Sequence, residues 1–168
     1  MRQWVLVRAQ RIPFLRVLAE VSEHLFAPRQ SIGVLAVIVN ADGHVLLAEH
    51  ATRPQEPWGL PGGWLGKREL PEDGVLREVT EELDLPVALD GYVGSHVHDY
   101  GRRMPRGLTL VYRLATPLSD DDPVAPLTWE VVRTRWATVD EACAIVHPRT
   151  ARQIRLAVAE RTTPEVAR

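Results

Sequence analysis

The sequence predicts an α/β fold in which a mixed β-sheet lies between helical layers. Three observations carry this expectation. Apolar, β-branched runs bounded by turn residues occur on both sides of one strongly helical stretch near 71–83. Further helical patterns close the chain, so helices are available for both sheet faces. The chain has 168 residues, is 45% hydrophobic and carries a net charge of −2, enough apolar material for one substantial core.

The elements follow in order. Residues 1–30 read as an N-terminal extension. Trp4 to Val7 suits a short strand, and Pro13 suits a helix start. Phe14, Leu15, Leu18, Val21, Leu25 and Phe26 then form one apolar face, ended by Pro28. A helix packed on the domain is expected there, with a homodimer contact or a membrane-surface helix as alternatives. Residues 31–161 read as the main domain, and 162–168 as a polar tail. Ile32 to Asn40 is a buried strand, Ala41-Asp42-Gly43-His44 a hairpin turn and Val45 to Glu49 the return strand. After a proline-containing loop at 50–57, Trp58 to Leu60 forms a short strand that runs into a glycine turn. Pro71 begins a helix, with Glu72 and Asp73 at its positive end. Strands are expected at about 92–99, 108–115 and 130–136. Thr138-Val-Asp-Glu141 is a capping-box start, and a last helix spans about 148–161.

Composition narrows the function. No basic excess favours long nucleic acid. No apolar run approaches the length of a membrane span; the longest, Ile32 to Val39, is far too short. Nineteen of the twenty basic residues are arginine, which reads as genomic base composition. A single cysteine, Cys143, permits no internal disulfide and suits a reducing cytoplasm, where it serves as a small apolar residue in a helix.

The chemistry concentrates at 63–85, Gly63-Trp-Leu-Gly-Lys-Arg-Glu69-Leu-Pro-Glu-Asp-Gly-Val-Leu-Arg77-Glu78-Val79-Thr-Glu81-Glu82-Leu-Asp84-Leu85. Val75, Leu76, Val79 and Leu83 share one arc of the helix, the anchor to a core. Glu78, Glu81 and Glu82 share a second, centred roughly 120° away. Three carboxylates held together repel one another unless a cation joins them. Arg77 lies beside the acidic arc and can reach back to Glu69 with two parallel hydrogen bonds, tying loop to helix.

These residues resemble the Nudix box: Gly, five residues, Glu, seven residues, Arg-Glu-apolar-x-Glu-Glu-x-Gly-apolar. Trp58-Gly-Leu-Pro-Gly-Gly63 resembles its usual lead-in, and a looser similarity in strand order extends from about Ile32 to Ile145. Three positions depart from the pattern. Asp84 replaces the last glycine, Arg68 replaces a glycine common before the loop glutamate, and Gly74 stands where alanine is common. All charged positions are intact.

The resemblance implies a Nudix-type α/β/α sandwich and a metal-dependent hydrolase using Mg²⁺ or Mn²⁺. Water would attack phosphorus in the diphosphate linkage of a nucleoside diphosphate joined to another group. A dinucleoside polyphosphate, nucleotide sugar or nucleoside triphosphate would fit. It implies Glu78 and Glu82 as principal metal ligands, Glu81 as a third ligand or water-positioning base, the Gly63 carbonyl as a further ligand, and Glu69 with Arg77 as a supporting pair. The general base stays open among Glu81, Glu130, His98, Asp99 and Asp120 to Asp122. His96 and His98 alternate along one strand face.

For a small-molecule nucleotide substrate, Arg53, Arg102, Arg103 and Arg106 are candidate phosphate contacts. Trp64 and Trp129 are candidate base-stacking residues, and Tyr100 sits where a tyrosine resembles a signature of dinucleoside-polyphosphate hydrolases. Trp58 and Trp136 are expected in the core. The competing functions are an RNA 5′-end pyrophosphohydrolase, which would need a local basic channel, and a non-catalytic nucleotide-binding regulatory domain, which loss of box glutamates would favour.

Overall fold

The computed structural model of the chain describes residues 31–98 and 107–159. The chain divides into two compact units, Met1–Gln30 and Ser31–Arg168. The first unit lies outside the described residues, and with it the strand and helix expected at 1–30. The turn at 99–106 and the tail lie outside them too.

Six strands form one mixed sheet: β1 (Ser31–Val39), β2 (Val45–His50), β3 (Trp58–Gly59), β4 (Ala88–His98), β5 (Gly107–Ala115) and β6 (Val131–Ala137). The order is β3-β2-β1-β5-β4, with β6 on β2. β1 and β5 run parallel, from Ser31 beside Gly107 to Val39 beside Ala115; the other pairings are antiparallel. Among the described residues three helices flank the sheet: α1 (Pro71–Leu83), α2 (Val139–Ile145) and α3 (Pro148–Ala159).

Side chains alternate across a strand, so an apolar strand feeds two cores. On one face Val34, Ala36, Ile38 and Leu46 pack with Val75, Val79 and Leu83 of α1. On the other, Val37, Val39, Val45 and Leu47 pack with Ala142 of α2 and with Ile154 and Ala157 of α3. The sheet is thus the middle of an α/β/α sandwich, as the sequence predicts. Leu76 completes the apolar stripe of α1 at partial burial, and Trp58 and Trp136 pack against the two cores. Cys143 is half-buried in α2 against the second core.

β4 begins at Ala88, four residues before the expected Tyr92. Its pairing with β5 shifts register between Leu89 and Gly91 and again between Tyr92 and Gly94. Such bulges break the period-two pattern from which a strand is read. The capping box holds: Thr138 Oγ1 accepts from the Glu141 N–H at 3.3 Å, and Glu141 Oε2 accepts from the Thr138 N–H at 2.9 Å.

The departures within 63–85 each have a physical account. Asp84 takes the left-handed conformation, φ 48° and ψ 46°, and its N–H reaches the carbonyls of Val79 and Thr80 at 3.1 Å. Arg68 is also left-handed, φ 65°, in a place where glycine would cost nothing. Gly74 sits on Leu65: a Cβ there would lie 2.2 Å from Leu65 Cδ2. Helix and loop are packed so closely here that an alanine methyl would require Leu65 to turn aside.

Candidate active site at the glycine strap and helix α1

The segment after β3 extends the sheet by backbone bonds. Ala36 N–H donates to the Pro61 carbonyl, Val34 N–H to the Gly63 carbonyl, each at 2.9 Å, and Leu65 N–H to the Ile32 carbonyl at 2.9 Å. Residues 61–65 thus form a strap along the edge of β1. Gly62 has φ 139°, and a Cβ there would fall 2.2 Å from the Val34 carbonyl oxygen. At Gly63 a Cβ would fall 2.5 Å from Glu78 Oε2. The two glycines let the strap approach the sheet on one side and the carboxylates of α1 on the other.

The three acids of α1 are graded by their angle from its apolar stripe. At 100° per residue Glu82 lies nearest Val75 and Val79, Glu78 next and Glu81 farthest. Glu82 is 5% exposed, and the Glu78 and Glu81 side chains are 13% and 56% exposed. Burial follows the wheel, so only Glu78 and Glu82 turn inward against the strap, and Glu81 stands at the outer rim.

The inward pair is held away from its ordinary protonation. Burial raises the Glu82 carboxyl to about 7, with Glu78 and Glu130 adding repulsion, against a hydrogen bond from Gly62 N–H at 3.1 Å and the opposing charge of Arg53. Burial also raises Glu78, opposed by Arg77. Glu69 behaves oppositely. Arg77 Nε and Nη2 donate to its two oxygens at 2.7 and 3.0 Å, and Gly66 N–H donates at 2.7 Å, holding the carboxyl at about 2. This is the bidentate tie from helix to loop that the sequence predicts. Arg77 Nη1 also meets Glu78 Oε1 at 2.9 Å and Glu81 Oε2 at 3.0 Å, and Nη2 donates to the Trp64 carbonyl at 3.1 Å. The guanidinium is held firmly in its charged form by Glu69 first, then Glu78.

Among the described residues, no three His, Cys, Asp or Glu side chains converge as a ready-made cation cage. The donor chemistry nevertheless fits a hard divalent cation. Two half-desolvated carboxylates repel each other, and Mg²⁺ is commonly taken by one or two carboxylates plus water and phosphate oxygens. The Gly63 carbonyl already accepts from Val34 N–H, which leaves one lone pair.

Other expected residues divide clearly. Arg53 and Glu130 both lie near enough to act electrostatically on Glu82. Ala51 N–H donates to the Glu130 carbonyl at 2.9 Å, and Leu127 N–H donates to the Glu82 carbonyl at 2.7 Å, holding that loop beside α1. Trp64 is 43% exposed and lies over Gly33. Trp129 is 76% exposed. His98 ends β4, with its side chain outside the described residues, as are Asp99, Tyr100, Arg102, Arg103 and Arg106.

Asp120 and Asp122, open candidates for the base, are engaged elsewhere. Asp120 accepts from Asn40 Nδ2 at 2.7 Å and meets His44 Nδ1 at 2.6 Å. Asp122 accepts from the N–H and Oγ of Ser119 at 2.7 and 2.9 Å. Asp120 braces the β1–β2 hairpin, and Asp122 closes its own loop on Ser119. Asn40, just past β1, is four residues beyond Ala36, where the strap begins, roughly 13 Å along the strand. The sequence reading passed over one buried group near the cleft, His50, whose Nε2 lies 3.2 Å from the Leu60 carbonyl oxygen. A lone histidine at a strand end carries no spacing signal.

Known proteins share both sequence and fold with this chain. The NUDIX domain family matches residues 29–159. A MutT-like protein of Streptomyces ambofaciens is 32% identical over 128 residues, 76% of each chain. The CTP pyrophosphohydrolase of Escherichia coli strain K12 is 31% identical over 75 residues, 44% of this chain and 56% of that protein. Among solved structures, the NUDIX domain of Shewanella oneidensis NrtR, complexed with ADP ribose, superimposes with a TM-score of 0.67. It is 21% identical and covers 88% of this chain and 97% of that chain. The family match spans sheet, strap and box helix together, and the chain belongs to the Nudix family of hydrolases.

Proposed function

We propose that this chain hydrolyses the diphosphate linkage of a small nucleotide, a nucleoside diphosphate joined to another group, with Mg²⁺ or Mn²⁺ bound at Glu78 and Glu82. The observation that carries the reading is the inward carboxylate pair, buried against Gly62 and Gly63 and raised in proton affinity by that burial. A structural acid would have its oxygens satisfied by the protein. Glu82 has one backbone N–H on one oxygen.

In this reading Glu78 and Glu82 supply oxygen ligands, with Glu81 at the rim and the second lone pair of the Gly63 carbonyl as further donors. When bound, the metal would neutralise phosphate charge and lower the pKa of a bound water. The protein's own part is orientation. Arg77 and Glu69 lock α1 to the strap, and Gly62 N–H fixes the rotamer of Glu82. Arg53 brings a positive charge to the cleft for a phosphate group. Glu81, Glu130, Asp121, His98 and Asp99 remain the candidates to take the proton of the attacking water; the Glu81 and Glu130 side chains are exposed. Trp64, with its half-exposed ring, and Trp129 are the stacking candidates for the base. His98, Tyr100 and Arg103 remain candidates for substrate contact.

The test is a nucleotide panel run with Mg²⁺, with Mn²⁺ and with chelator. It includes dinucleoside polyphosphates, nucleotide sugars, nucleoside triphosphates and a 5′-triphosphorylated RNA oligonucleotide, and products are separated by chromatography in ¹⁸O-labelled water. Metal-dependent cleavage of a small nucleotide, with label on one phosphate product, is expected. Turnover of the RNA alone, or of nothing, would reject the reading.

A further inference from the structure

Beneath the strap lies a buried imidazole that the reaction does not use. His50, at the end of β2, is 6% exposed. Its Nε2 lies 3.2 Å from the Leu60 carbonyl oxygen, which can only accept, so Nε2 carries the hydrogen. Burial first, and the charge of Arg53 second, hold the ring neutral by lowering its pKa to about 4. The donor is therefore always present near neutral pH. Its backbone is anchored as well: His50 N–H donates to the Pro57 carbonyl at 2.7 Å. Gly59 leaves room for the arrangement. A Cβ there would stand 3.3 Å from both His50 Nε2 and Arg53 Nη1.

The bond falls where the chain needs it. Pro61 and Gly63 are fixed by their carbonyls to β1, but Leu60 is the hinge at which β3 becomes the strap. Two residues later, Gly62 N–H meets Glu82. We infer that His50 is a positioning residue: by donating to the Leu60 carbonyl it sets the peptide path that aims Gly62 N–H at the Glu82 carboxylate. Resting as it does on the hydrolase reading, the assignment gives His50 influence over turnover without contact with substrate. A side chain at Gly59 would crowd the same contact.

The test compares His50→Leu, which keeps bulk but loses the donor, with His50→Gln, whose amide N–H can occupy the place of Nε2. Two readouts are taken on the full chain: hydrogen exchange of the Gly62 amide by NMR without metal, and kcat and KM on the best nucleotide of the panel. His50→Leu should speed Gly62 exchange about tenfold and lower kcat by roughly 10–100-fold, as loss of outer supporting contacts does, with KM within about threefold. His50→Gln should recover most of both. Unchanged Gly62 exchange and kcat in a folded His50→Leu protein would overturn the inference, and so would a His50→Gln protein as impaired as His50→Leu. If His50→Leu does not fold, His50→Met replaces it, since the thioether also fills the site without a donor. Wild-type Gly62 exchange in that variant would equally overturn the inference. The exchange arm needs no substrate, so a chain that hydrolyses nothing in the panel fails the hydrolase reading while His50 is still judged.

Discussion

Two acidic clusters stand apart along β1, one beside the strap at its middle and one beside Asn40 just past its end. One is Glu78 with Glu82 on α1, the other Asp120 with Asp122 in the loop before β6. By composition they are alike, and both invite a metal. The protein treats them differently. Asp120 and Asp122 receive an amide, an imidazole, a backbone N–H and a hydroxyl, and those bonds from Ser119 hold Asp122 below the usual carboxylate range. Glu78 and Glu82 are buried with less compensation and rise above that range. An acid whose hydrogen bonds are met by its own fold braces the fold. An acid that the fold desolvates and leaves underpaid awaits something from outside.

The largest effect that would break this comparison is on turnover. Glu82→Gln and Glu78→Gln should each lower metal-dependent kcat by about 10³-fold or more without unfolding the protein. Asp120→Asn and Asp122→Asn should stay within about twofold of wild type. Steady-state kinetics on the four variants decides it, and equal losses at both clusters would erase the distinction.

Stability against pH comes next. Unfolded, Glu82 has the ordinary carboxylate value of 4.5; folded, it is held at about 7. Between those values the folded state binds more protons, so stability falls as pH rises from about 4.5 to 7 and then levels off. The fall attributable to Glu82 is on the order of 3 kcal/mol without metal. Denaturant midpoints across pH 4.5–8 should show it, Glu82→Gln should flatten it, and Mg²⁺ should raise stability most above pH 7. Chelation should reverse that gain. A metal-free slope unchanged in Glu82→Gln would assign the effect elsewhere.

The bracing cluster should answer in stability alone. Asp120→Ala strands the fully buried Asn40 amide and releases His44, at a cost of roughly 1–2 kcal/mol. Urea unfolding measures it, and a neutral result would remove the bracing role. The smallest effect concerns the loop that carries Glu69. Arg68→Gly should relieve the left-handed strain and stabilise by up to about 1 kcal/mol, after the entropy that glycine adds to the unfolded chain. Destabilisation would show that the Arg68 side chain contributes more than its backbone costs.

Much of this was legible in the sequence because it is periodic. The strands at 31–39 and 107–115, the helix at 71–83 and the Thr138–Glu141 cap follow from alternation, helical spacing and capping chemistry. The Arg77–Glu69 tie followed from spacing along the loop and helix, and Asp84 from the left-handed turn that a helix end requires. What was not legible depends on neighbours distant in sequence. The bulges of β4 are set by β5. Gly74 is explained by Leu65, and the inequality of Glu78, Glu81 and Glu82 by how deeply α1 seats on the sheet. His50 is meaningful only through Leu60, ten residues on and across β3. Local pattern records propensity; it does not record which carbonyl a buried ring will meet.

The strap along β1 has one more consequence. Its register on the sheet is set by backbone bonds to Ile32, Val34 and Ala36, downstream of the 51–57 connection. A change in that connection that keeps Arg53 and the Pro57 carbonyl in place should leave the carboxylate frame in register, because the sheet re-indexes the chain after it. The carboxylate frame and the loop before it are thereby separable parts of the fold, joined through the sheet and not through each other's length.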